Sequence, residues 1–203
     1  MTPQTDRGEE TRRRILAEAA EAFADRGYAS TSLSDLVSAT GLTKGAFYFH
    51  FASKEELALE VFRSKHEEWH GKVLAVLEEE ERAIDRMVAV MRTVTELVEA
   101  DPSARCVGRL ADELSREPQL ASIVNGQFEA WVGLSTELLR RAQEEGDVRA
   151  DLDPAEVSEV AVAGFIGLEH VSGTRGVGDL PRWAESFTNI LLDAIGTKQR
   201  EKT

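Results

Sequence analysis

A chain of 203 residues with 42% hydrophobic and 30% charged residues is long enough to bury its own core, and its single cysteine, Cys106, excludes a disulfide scaffold and a cysteine-only zinc site. No apolar run approaches the roughly 18 residues of a membrane span, and the charged start of the chain offers no secretory h-region, so the expected compartment is the cytoplasm and no membrane partner is expected. The formal net charge of −13 argues against a nucleic-acid partner until its placement is considered: residues 1–65 carry 9 Lys and Arg against 10 Asp and Glu, residues 66–203 carry 15 against 27. A nearly neutral head can face DNA while an acidic body is held away from it.

Five prolines and the absence of β-branched alternation predict an all-α chain. Leu16, Ala19, Ala20 and Phe23 form one apolar stripe on a first helix that ends at Gly27. Ser32-x-x-Asp35 predicts a capped short helix stopping near Gly41, and Thr43 caps a third over Lys44–Phe49. Ser53-x-x-Glu56 opens a long helix to about Glu79, followed by a stripe of Ile84, Met87, Val88, Met91, Val94 and Val98 that stops at Asp101-Pro102. A short apolar segment spans Val107–Leu114. Pro118 opens a long helix carrying Val124, Phe128, Trp131, Val132, Leu138 and Leu139 inward, and Gly146 with Asp153-Pro154 ends it. Two further helices are expected, one from Pro154 to about Val171 and one bearing Trp183, Phe187, Ile190 and Leu191, with a flexible loop over 173–178 between them.

Two short helices joined through Gly41, the second polar and cationic, form a helix-turn-helix whose second member fits the major groove. Lys44, Tyr48 and His50 offer phosphate or base-edge donors, and Gly45 lets the backbone approach a phosphate. At least two of Phe47, Phe49 and Phe51 belong to the core, because alternating aromatics on a short helix cannot all face DNA. Residues 11–62, and above all Gly41-Leu-Thr-Lys-Gly-Ala-Phe-Tyr-Phe-His-Phe51 followed by Ser53-Lys54-Glu55, resemble the DNA-binding domain of the TetR family of repressors. The resemblance implies an all-helical homodimer, a palindromic operator of double-stranded DNA, and release of the DNA when a small molecule binds the C-terminal domain. Carried over, it puts Thr43, Lys44, Tyr48 and His50 against DNA and Lys54 on a phosphate. The expected division is 1–53 for DNA binding and 54–203 for effector binding and dimerisation.

The C-terminal part is similar to the γ-butyrolactone receptors of actinomycetes in its Phe128-Glu-Ala-Trp131 segment, its Asp153-Pro154 helix start and its Asp179-Leu180-Pro181 connection. That likeness implies a pocket-lining role for Trp131 and a γ-butyrolactone or butenolide effector. Where such receptors carry Thr or Ser in the eighth helix this chain has Phe165-Ile166-Gly167, which removes a polar contact and adds Phe165 to the expected lining. Met87 and Met91 on one stripe and Phe128 and Trp131 on another suit a small apolar molecule with one or two polar atoms. A competing reading is a zinc-dependent hydrolase built on His66-Glu67-x-x-His70, the letters of a zinc-peptidase helix. The metzincin continuation would need glycine and histidine where the chain has Val73 and Val76. With no nucleophile elbow and no glycine-rich phosphate cradle either, no catalysis, cofactor or metal is expected, and Cys106 reads as a small core residue.

Overall fold

The computed structural model describes residues 3–175 and 179–197. Among them the chain is all-helical: α1 (Pro3–Arg26), α2 (Leu33–Thr40), α3 (Lys44–His50), α4 (Lys54–Glu79), α5 (Ala83–Ala100), a 3₁₀ turn (Pro102–Arg105), α6 (Cys106–Leu114), α7 (Pro118–Glu144), α8 (Pro154–Arg175) and α9 (Leu180–Ile195). The only extended pairing among the described residues is a single antiparallel bridge between Val148 and Gly196.

The helix boundaries have local causes. Ser32 accepts the Asp35 backbone N–H while Asp35 returns to the Ser32 N–H, a complete capping box that starts α2. Gly41 ends α2 at φ 64°, a left-handed turn that side chains beyond Cβ resist. Thr43 accepts the Ala46 N–H at 3.2 Å and opens α3. At α4, Ser53 Oγ accepts the Glu56 N–H, but the returning Glu56 carboxylate takes the N–H of Ala52 rather than that of Ser53. The loop expected from residue 173 begins later, because α8 continues to Arg175; an isolated glycine at 173 does not by itself stop a helix. The remainder of that loop, 176–178, lies outside the described residues.

The chain packs as two compact units, residues 1–67 with 101–124 and residues 68–100 with 125–203. In the first, α1 packs on α2, on the 3₁₀ turn and on α6. Its core is made by Ile15, Ala19 and Phe23 of α1, Leu36 of α2, Phe47 and Phe51 around α3, Leu57, Val61 and Phe62 of α4, and Leu110 and Leu114 of α6. Cys106 is fully buried there. In the second unit Ile84 and Met87 of α5, Leu138, Leu139 and Ala142 of α7, Val148, and Ile195 of α9 form one cluster. Arg82 pairs with Asp147 and Glu145 accepts the Ala83 N–H, so the end of α7 caps the start of α5. α8 lies so close to α9 that a Cβ on Gly164 would meet the Phe187 ring at 2.8 Å.

Candidate nucleic-acid interface and effector site

α3 is seven residues long, and Phe47 is its one buried side chain; Phe51, just past its end, is buried too. These two rings fix the helix to the core, as the alternation of aromatics requires. Phe49 takes the opposite face and is 84% exposed, beside Tyr48 at 41%. Lys44, Gly45 and Ala46 are exposed with them, and the Lys44 ammonium lies 5.8 Å from the centre of the Tyr48 ring. His50 is half-buried, its ring edge-on to Phe49 at 5.3 Å. Thr43 spends its hydroxyl oxygen on the helix cap. Nothing surrounds the Gly45 Cα within 4 Å of a would-be Cβ, leaving its backbone open to an approaching partner. The face so formed holds one ammonium, one phenol, one imidazole and an apolar ring, a set suited to phosphates, base edges and thymine methyl groups.

Lys54, in the first turn of α4, is half-buried. Its ammonium donates to the carbonyls of Tyr28 and Thr31 at 2.9 and 3.0 Å and sits 4.0 Å from the centre of the Tyr28 ring. Burial and the neighbouring Glu55 carboxylate, to which it is hydrogen-bonded, push the Tyr28 phenol up to about 12. Arg12 pairs with Glu60 at 2.7 Å and covers the Phe51 ring, while Arg13 pairs with Glu10 on its own helix. Neither the exposure of Phe49 nor the Tyr28–Lys54–Glu55 cluster follows from the sequence reading above. The alternation Phe47, Phe49, Phe51 held the signal for the first; the second joins residues 26 apart and leaves no local pattern.

In the second unit, Met87 is packed into the α5–α7–α9 cluster, and Met91 lies one turn on, half-buried. Phe128 and Trp131 of α7 are half-buried, with the Trp131 ring edge-on to His70 at 6.4 Å. Phe165 is buried on α8. One turn beyond it, burial pushes the Glu169 carboxyl up to about 7, so a polar group stands on the inward stripe of α8 that Ser158, Ala161 and Phe165 define. A glutamate on a helix rich in small and apolar residues carries no local signal of its burial.

His66 is buried, its Nδ1 3.0 Å from the Phe62 carbonyl oxygen and its ring 4.2 Å from the Phe62 ring, and burial holds the imidazole below its ordinary value. His70 is exposed. Among the described residues no three His, Cys, Asp or Glu side chains gather as a metal site.

Comparison with known proteins agrees with this arrangement. Residues 15–61 match the model described as bacterial regulatory proteins, tetR family, and residues 77–174 match a tetracyclin repressor-like C-terminal domain. The A-factor receptor protein of Streptomyces griseus is 29% identical over 189 residues; the match takes in 91% of this chain and 64% of that protein's length. The solved structure of the TetR family protein CprB from S. coelicolor A3(2) superposes with a TM-score of 0.79 at 31% identity, covering 96% of this chain and 92% of that one. A gamma-butyrolactone receptor described as ArpA-like superposes with a TM-score of 0.68 at 25% identity, covering 93% and 99%. With its helix-turn-helix, its helical C-terminal part and this identity over nearly the whole of a solved relative, the chain belongs to the TetR family of bacterial regulators.

Proposed function

We propose that the protein is a ligand-responsive transcriptional repressor that binds a palindromic operator as a homodimer and leaves it when a small apolar effector binds. The observation that carries this reading is the exposed face of α3, where Lys44, Tyr48 and Phe49 stand out on the second helix of a helix-turn-helix. Residues 1–53 read DNA through Thr43, Lys44, Gly45, Tyr48 and His50; residues 54–203 bind effector and partner. The work is done by binding equilibria in the cytoplasm, with no reaction catalysed; among the described residues no helix is long and apolar enough to cross a membrane.

Dimerisation uses α8 and α9. Val160 and Ile190 are 66% and 69% exposed, and Ile166 and Val171 add to the apolar surface of α8. Aliphatic side chains at such exposure on adjacent helices favour a self-complementary contact between two copies.

The effector is a γ-butyrolactone or butenolide, a reading supported by the names of the relatives, A-factor receptor and gamma-butyrolactone receptor. Met87, Met91, Phe128, Trp131 and Phe165 supply apolar lining, and the indole N–H of Trp131 donates to the lactone carbonyl. The test is fluorescence anisotropy of labelled DNA from upstream of the protein's own gene, with and without a 2-acyl-γ-butyrolactone. Salt-sensitive binding weakened by the lactone is expected. Binding that ignores the lactone counts against the effector class, and no binding to that DNA or to a selected palindrome counts against the repressor.

A further inference from the structure

α3 is seven residues long, and Phe47 within it and Phe51 just past its end are its anchors in the core. Its orientation depends on the elements at its two ends, α2 and α4. Lys54, in the first turn of α4, reaches back across the motif and donates to the carbonyls of Tyr28 and Thr31. Those two residues close a turn of their own, with the Thr31 N–H on the Tyr28 carbonyl at 3.2 Å. Thr31 is buried, its hydroxyl donating to the Gly27 carbonyl at 2.8 Å, and the next residue, Ser32, is the cap that starts α2. Tyr28 packs on Phe23 at 5.6 Å and is hydrogen-bonded to Glu55, the neighbour of Lys54. The ammonium thus sits among two carbonyls and an aromatic face, with two of its three N–H groups spent.

We propose that Lys54 is a positioning residue of the DNA-reading unit: by tying the first turn of α4 to the turn that starts α2, it sets the angle at which α3 enters the major groove. The proposal rests on the DNA-binding reading given above. It differs from the role that the family resemblance carries to this position, a direct phosphate contact, and the two roles leave different marks. A lysine that neutralises a phosphate releases counterions, so its loss lowers the salt slope of binding by about 1. A lysine that acts through backbone carbonyls changes the affinity and leaves the slope alone.

The experiment compares wild type, Lys54→Met, Lys54→Arg and Lys44→Ala by salt-dependent anisotropy on a DNA fragment that the wild type binds, with folding and dimerisation of each variant checked by thermal denaturation and sedimentation. Lys54→Met is expected to lose about 10-fold in affinity, because α3 must then be ordered at the moment of binding, with the wild-type slope. Lys54→Arg, which keeps a forked donor, recovers most of the affinity, and Lys44→Ala lowers the slope. A slope reduced by about 1 in Lys54→Met, or wild-type affinity in a folded Lys54→Met, overturns the proposal. If Lys54→Met does not fold, amine acetylation of the wild type decides: Lys54 is expected to react slowly in free protein and equally slowly on DNA, whereas fast reaction that DNA suppresses overturns the assignment. Failure of the wild type to bind any DNA strikes the repressor reading itself, a result distinct from all of these.

Discussion

Lys44 and Glu169 face opposite electrostatic situations, and each yields a direct test. Lys44 is exposed on α3 with its charge available to a phosphate. Lys44→Ala should weaken operator binding and lower the salt slope by about 1, read from affinities at several salt concentrations. Glu169 is half-buried, and its folded value of about 7 stands above its ordinary 4.5 because burial disfavours the charge. The folded state therefore holds that proton more tightly than the unfolded chain. The penalty for ionising it is absent below about pH 4.5, grows as pH rises, and is complete above about pH 7. Glu169→Gln should raise the melting temperature at pH 8 and change it little at pH 4.5; equal effects at both would show that the carboxyl is not held neutral. At this scale the sequence was legible where periodicity spoke. The rule that a short helix cannot turn three alternating aromatics to DNA is met by buried Phe47 and Phe51, and only the structure shows that the exposed one is Phe49.

Helix starts were the most readable elements, because the capping residue and the group it satisfies are three positions apart. Ser32 and Thr43 cap as their spacing predicts, and Ser32→Ala should cost about 1 kcal/mol of stability, measured by denaturant unfolding. The 3₁₀ turn after Asp101 was less readable. Its start depends on Asp101 accepting the Ser103 N–H and pairing with Lys65, a residue 36 positions away on α4. The α8–α9 surface makes a sharper prediction. Ile190→Glu places a charge on the most exposed aliphatic side chain of α9 without disturbing the core. It should shift the protein from dimer to monomer in sedimentation and reduce operator affinity, since each half-site then binds alone and two half-sites about 34–36 Å apart no longer cooperate. An Ile190→Glu protein that remains dimeric would place the interface elsewhere.

Across the whole chain the packing units are not contiguous in sequence. The 3₁₀ turn and α6 pack on α1, and no periodic pattern could announce contacts between segments some eighty residues apart. The charge division, in contrast, was plain from counting: the acidic excess falls in residues 66–203 and leaves the helix-turn-helix part nearly neutral. In a repressor of this kind, effector and operator must favour different conformations, and the coupling between them is reciprocal, typically 1–3 kcal/mol. Trp131→Ala should keep operator binding and lose most of its response to lactone, measured by the anisotropy assay. One titration reads that coupling: a 2-acyl-γ-butyrolactone is added to the free protein and to the protein saturated with operator DNA, and its affinity is measured by calorimetry in both. DNA is expected to weaken lactone binding by the same factor, about 5- to 150-fold, by which lactone weakens DNA binding; equal lactone affinity in the two states would show that the lactone is not the effector of a repressor.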